Sequence, residues 1–160
     1  MKILCYDCFS GISGDMNLGA MLDLGVSSEI LVSSLEKLNI EGWKLDITRD
    51  QRHGISGTRV TVIIDEVTGH EHEHDHQEGN VHHGGHRHLD EIEKIIKGSA
   101  LPSEVVALAL KIFKIIAEAE AVIHDKPVSE IHFHEVGAID SIIDIVGAAI
   151  CFNELGVEKV

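Results

Sequence analysis

Apolar residues along the chain switch between two periods, and the switches mark its elements. Ile3 to Phe9 is a short apolar run ended by Ser10-Gly11-Ile12-Ser13-Gly14, the pattern of a buried strand feeding a turn and then a helix from Met16 that stops near Gly25. Ser27-Ser28-Glu29 opens a second helix, with Ile30, Leu31, Leu35 and Leu38 at helical spacing. Period two takes over in Trp43 to Arg49 and in Thr58 to Asp65, and the polar, Gly-bearing stretch Asp50 to Gly57 between them predicts a hairpin. Leu89 to Lys97 reads as a short helix ended by Gly98. Pro102 opens a long one through Val122, with Val105, Leu108, Ile112, Phe113 and Ile116 on its apolar face. Ser129 to Val136 reads as a strand, Gly137 breaks it, and Ala138 to Leu155 is a helix ended by Gly156. Glu158 to Val160 looks like the start of a further strand, so a continuation of the chain is expected. The fold class predicted is α/β: a single domain over residues 1–160, its sheet flanked by helices, with a β-hairpin.

One segment follows neither period. Residues 69–88 read GHEHEHDHQEGNVHHGGHRH and hold eight of the twelve histidines, with almost nothing that could enter a core. A flexible His-rich loop is expected there, because such residues cannot bury enough apolar area to offset the entropy of ordering them. Neutral imidazole is the commonest protein ligand for Zn(II), Ni(II) and Cu(II), which makes His70, His72, His74, His76, His82, His83, His86 and His88 candidate metal ligands. The interleaved Glu71, Glu73, Asp75 and Glu78 add hard oxygen ligands. A solvated acidic insertion that binds metals only as any histidine tract does is the plainer alternative.

Charge narrows the partners. A hydrophobic content of 44% suits a globular domain, and a net charge of −14 from 27 acidic and 13 basic residues argues against nucleic acid or an anionic membrane surface. Cations are the better partners. No apolar run reaches the length of a membrane span, and the apolar stretch before Asp7 is too short for a signal peptide, so a cytoplasmic protein is expected. Cys5, Cys8 and Cys151 are an odd set outside any secretory context, and buried thiols are expected rather than disulfides. Whether the protein forms a homo-oligomer is left open.

Two constellations carry chemistry. The first runs from Asp7 through Ser10, Gly11, Ser13 and Gly14 to Asp15, where a turn after a strand feeds a helix N-terminus whose free N–H groups suit an anion. No Lys follows Gly14 and no GxGxxG spacing is present, so it is not a nucleotide loop of either common kind. Asp7 and Asp15 would repel a bare phosphate unless a divalent cation bridged them. Equally, Asp15 can be a helix N-cap and the glycines a tight turn. The second constellation is Ile131 to Asp144. On a strand, His132 and His134 share one face about 7 Å apart, close enough to chelate one ion. Asp140 and Asp144 are four apart on a helix that is otherwise nearly all apolar, and carboxylates buried there need a hydrogen-bonded partner, a cation or a raised pKa. The alternative has Asp140 stabilising its own helix end and Asp144 bonded to a neighbour. The sheet topology expected from these strands brings Asp7, Asp15, His132, His134, Asp140 and Asp144 to one cleft.

At these residues the sequence resembles the LarC family of nickel-insertion proteins. The resemblance rests on Tyr6 to Met16 with Leu18-Gly19-Ala20, on the His-rich insertion, and on Ile131 to Gly137 running into Asp140 and Asp144. It implies a chelatase that places nickel into pyridinium-3,5-bisthiocarboxylic acid mononucleotide, yielding the nickel-pincer nucleotide of lactate racemase, in a reaction that uses CTP and Mg(II) or Mn(II). It also implies a longer protein, whose C-terminal domain is associated with CTP, and a fragment that is inactive alone. Catalytic roles would then fall to Asp7, Asp15, His134, Asp140 and Asp144, and substrate contacts to Ser10, Gly11, Ser13 and Gly14. Two other readings compete with it: a non-enzymatic nickel or zinc buffer, and a metal-dependent phosphohydrolase.

Overall fold

A helix that is apolar on nearly every side is stable only at the centre of a fold, and α5 (Ile139–Leu155) lies there. The computed structural model describes residues 1–65, 87–131, 133 and 136–160. Around α5 pack α1 (Gly14–Asp23), α2 (Ser28–Leu35) and α4 (Ser103–His124). Between α2 and α4 in sequence come β1 (Trp43–Arg52), β2 (Ile55–Ile64) and α3 (Leu89–Lys97). Ile142, Ile143, Val146, Ala149, Ile150 and Cys151 of α5 are buried in one core with Leu18, Leu31, Leu35 and Phe113. Gly147 lets α1 and α2 come close: a β-carbon there would stand 2.9 Å from Leu18 Cδ2. Phe133 is fully buried, its ring 6.2 Å from that of Phe113.

The strands β1 and β2 form an antiparallel pair in which Trp43 stands opposite Ile64 and Arg52 opposite Ile55. The connection is a two-residue turn, His53-Gly54, with φ of 51° and 82°. Such a turn needs positive φ at both central positions, which is where glycine is at ease and a histidine is tolerated. The Trp43, Leu45, Ile47, Val60 and Val62 face lies against the core, and α1 runs alongside β2. Asp23, at the end of α1, accepts hydrogen bonds from the Thr58 backbone N–H (2.9 Å) and hydroxyl (2.8 Å) and from Arg49 (2.5 Å). Those donors, the Thr58 N–H first, hold its carboxyl below the usual range.

The fold class is α/β, with a sheet smaller than the sequence pattern predicts. Among the described residues the only sheet is the two-stranded hairpin. The run Ile3 to Phe9 makes a single parallel bridge, Ile3 to Lys159, and apart from half-buried Leu4 it is exposed, Phe9 at 93%. Cys5 and Cys8 are exposed with it, contrary to the expectation of buried thiols, whereas Cys151 is buried. Residues 128–130 form a 3-10 turn in place of the strand expected from Ser129. Its hydrogen bonds run locally, from Glu130 N–H to Pro127 O and from Ile131 N–H to Val128 O, so the backbone there is satisfied without a sheet neighbour. No helix among the described residues is long and apolar enough to cross a membrane.

Candidate functional site

The starts of α1 and α5 meet. Gly14, the first residue of α1, lies so close to Asp144, in the second turn of α5, that a β-carbon at Gly14 would overlap the Asp144 carboxylate. Only glycine lets the two helices approach this way. Asp144 is half-buried, and its Oδ1 is fully enclosed without a hydrogen-bond partner. Burial, then the charges of Asp15 and Asp140, push its carboxyl up to about 6. Three predicted carboxylates are thus within electrostatic reach of each other at a helix-helix junction.

Asp15 and Asp140 play different parts. Asp15 sits in the first turn of α1, not at its cap; Ser13 holds the cap position. Its Oδ1 accepts from Ser13 Oγ (2.5 Å) and from the Met16 backbone N–H (2.9 Å), so the helix end already has a carboxylate on it. Asp140 is exposed and accepts from the Ser141 N–H at 2.7 Å, stabilising the start of its own helix. Gly11 takes a φ of 84° and its N–H bonds Cys8 O, closing the turn that carries the chain into α1. Asp7 and Ser10 are exposed, and Asp7 is not among the groups acting on Asp144.

Arg87 and His88, the last two residues of the histidine-rich tract, are described, and Arg87 lies at the same end of α5. Arg87 Nη1 donates to Gly137 O at 2.9 Å, and a β-carbon at Gly137 would stand 2.9 Å from Arg87 N. His88 is the N-cap residue of α3, its N–H bonded to Glu91 Oε2 at 3.2 Å. His70, His72, His74, His76, His82, His83, His86, His132 and His134 lie outside the described residues. Among the described residues no set of three or more His, Cys, Asp or Glu is placed to enclose a metal ion.

Comparison with known proteins agrees with the motifs. A family described as Nickel insertion protein matches residues 4–160. The chain belongs to the nickel insertion protein family. A Clostridium kluyveri relative, named pyridinium-3,5-bisthiocarboxylic acid mononucleotide nickel insertion protein, is 52% identical over the whole of this chain and 39% of its own length. Proteins of the same name from Akkermansia muciniphila and Acetivibrio thermocellus are 50% and 47% identical, again over all of this chain, and are covered over 38% of their lengths. The chain therefore spans about two-fifths of the length of the curated relatives it matches. No solved structure matches it.

Two residues of the neighbourhood escaped the sequence reading. Arg52 and Arg59 line a cleft beside Asp15 and Met16. Reading Asp50 to Gly57 as a linker hid Arg52, and only the strand register shows that it shares a face with Arg59.

Proposed function

We propose that this chain is the metal-presenting part of a chelatase that inserts nickel into pyridinium-3,5-bisthiocarboxylic acid mononucleotide, forming the nickel-pincer nucleotide of lactate racemase. The observation that carries the proposal is Asp144 Oδ1, enclosed without a partner beside two further carboxylates. A divalent cation is the partner that satisfies such an oxygen. In this reading the histidines of residues 69–88 gather nickel, and the Arg87 to Gly137 contact returns the tract beside the start of α5. Asp144 then offers its carboxylate to the ion, in the field of Asp15 and Asp140, and His132 and His134 supply the further ligands this reading requires, since the described residues alone do not enclose an ion. Asp7, Ser10, Gly11, Ser13 and Gly14 position the nucleotide.

Transfer is ligand exchange without redox change. Nickel held by carboxylate oxygen and imidazole nitrogen passes to the thiocarboxylate sulfurs, which are softer donors and hold it more strongly, so the exchange runs toward the product. The carboxylates left behind revert to sharing their charge, and Asp144 takes up a proton more readily than an ordinary aspartate. CTP and Mg(II) or Mn(II) are assigned to the further length that the relatives possess, because no Lys follows Gly14 here and the first turn of α1 is taken by Asp15. Such a protein works in the cytoplasm.

The test uses the full gene product with nickel, CTP, Mg(II) and the thiocarboxylate mononucleotide, followed by the absorbance of the nickel-sulfur product. Product is expected from the wild type. Deleting residues 69–86, which spares Arg87 and the His88 cap of α3, should raise the nickel concentration needed for half-maximal rate but leave the rate at saturating nickel largely intact. Complete loss at saturating nickel would mean that the tract is the whole function, as in a storage protein. Nickel binding to the tract should fall steeply below about pH 6.5, where imidazole protonates. Calorimetry showing equal binding at pH 5 and pH 7.5 would remove the histidines as ligands.

A further inference from the structure

Residues 3–9 have the composition of a buried strand and the surroundings of an open edge. Ile3 makes one parallel bridge to Lys159, in which Lys159 N–H donates to Lys2 O at 3.3 Å and Leu4 N–H donates to Lys159 O at 2.9 Å. The pairing stops after that rung. Among the described residues the N–H groups of Tyr6 and Cys8 meet no acceptor. Alternate residues of a strand donate to the same side, so Tyr6 and Cys8 present their N–H groups to the neighbour that Leu4 already has.

The two faces of the run differ. Leu4 packs against the core, and Tyr6 on the same side donates its hydroxyl to Asn17 Oδ1 of α1 at 2.8 Å. Ile3, Cys5 and Phe9 alternate with them and are exposed, Ile3 at 59%. Parallel strands have both faces covered in stable folds, so an apolar face left open on one is a place where further chain packs. The curated relatives possess further chain, since residues 1–160 cover about two-fifths of their length. A second copy suits the edge poorly. Two identical edges related by a two-fold axis pair antiparallel, whereas the rung in place is parallel, and a net charge of −14 opposes self-association.

We propose that the segment following Val160 in the full gene product forms a strand parallel to residues 3–9, in the register that Ile3 and Lys159 begin, and that the chain after it covers the face of Ile3, Cys5 and Phe9. Continued in that register, Cys5 stands beside the first residue after Val160, and Tyr6 N–H donates to the carbonyl of that residue. The added strand ends beside the Ser10 to Gly14 turn. A crevice at the C-terminal ends of neighbouring parallel strands then opens toward the junction of Gly14 with Asp144, so that the following segment completes the candidate site. In residues 1–160 alone the pairing is one rung wide and opens readily; the added strand lengthens it. The placement rests on backbone pairing and is independent of the nickel reading.

The experiment uses the full gene product carrying Cys8→Ser, which leaves Cys5 as the one thiol of the run. One variant places a cysteine at the first residue after Val160 and another places it at the second. Each is treated with a short thiol-to-thiol cross-linker, and the joined peptides are read by mass spectrometry. Neighbouring strands lie about 4.8 Å apart, so the first position should join Cys5 readily. The second points to the opposite face and should join it at least tenfold less. Cys5 should also react with a small thiol reagent at least a hundredfold more slowly in the native protein than in urea, because the covering chain buries it. That labelling needs no placed cysteine, so it decides the matter where a substitution disturbs folding. Cross-linking from the second position rather than the first, from neither, or labelling of native Cys5 at the unfolded rate overturns the proposal. Cross-links between molecules that grow with protein concentration would make the occupant a second copy, and overturn it as well.

Discussion

Asp144→Asn is expected to make the metal-free protein more stable and a poorer nickel-transfer catalyst. In the folded chain the Asp144 carboxyl is raised from 3.8 to about 6, first by burial and then by Asp15 and Asp140. A carboxyl raised on folding binds more protons folded than unfolded between those values. Its stabilising contribution is complete below about pH 4 and is lost as pH rises through 6. Above pH 6 the ionised group is a net cost, on the order of 2 kcal/mol after allowance for its partial exposure. Asparagine fills the same volume without the charge. The variant should therefore unfold at higher urea than wild type at pH 7.5, with the difference shrinking toward zero near pH 4. Added nickel should stabilise the wild type and not the variant, and transfer should fall at least a hundredfold. Equal urea midpoints at pH 7.5 would show that Asp144 carries no electrostatic strain.

The second large effect is expected at Gly19, where α1 crosses β2. A β-carbon there would overlap the Thr58 carbonyl oxygen, and a backbone atom inside a paired strand cannot rotate aside. Gly19→Ala must move α1 off the hairpin, at a cost of about 1–3 kcal/mol by the usual penalty of overpacking. It would also loosen the Asp23 bonds to Thr58. The urea midpoint should fall with an unchanged slope. Gly57→Ala, on the same strand, is the control and should be near neutral. Loss of stability at Gly57 equal to that at Gly19 would mean that close packing of α1 is not the cause.

What the sequence pattern disclosed follows from how local each signal is. α3 and α5 end at Gly98 and Gly156, and α4 begins after Pro102, because caps and the 3.6-residue period need no knowledge of distant neighbours. The hairpin was visible from alternation, but its strands run on to Arg52 and Ile55, through polar residues that pair as well as apolar ones do. The run Ile3 to Phe9 has strand composition, yet among the described residues it finds one bridging partner, at Lys159. A strand is a relation between segments, so composition alone could not decide it. The site behaved likewise. Asp144 was marked by an aspartate on an apolar helix, but its approach to Gly14 was not legible, since convergence was expected from a shared sheet and the helices meet without one. Arg52 and Arg59 were illegible because an exposed arginine on a strand has no sequence signature; only the register and the cleft single them out.

The junction of residues 2–4 with residues 158–159 has a consequence for the order in which the molecule assembles. Leu4 N–H bonds Lys159 O at 2.9 Å and Glu158 N–H bonds Lys2 O at 2.9 Å, across 156 residues of chain between Lys2 and Glu158. Closing so long a loop has little compensation until the intervening helices are packed, since a few hydrogen bonds and one ion pair among exposed residues supply only a small return. These contacts form after the rest of the core and open before it. Amide exchange at Leu4 and Glu158 should accordingly be among the fastest of the paired backbone groups, occurring by local opening while Ile143 and Val146 exchange only with global unfolding. The edge beside Leu4 is thus the seam of the fold, the place where the finished molecule can part without melting.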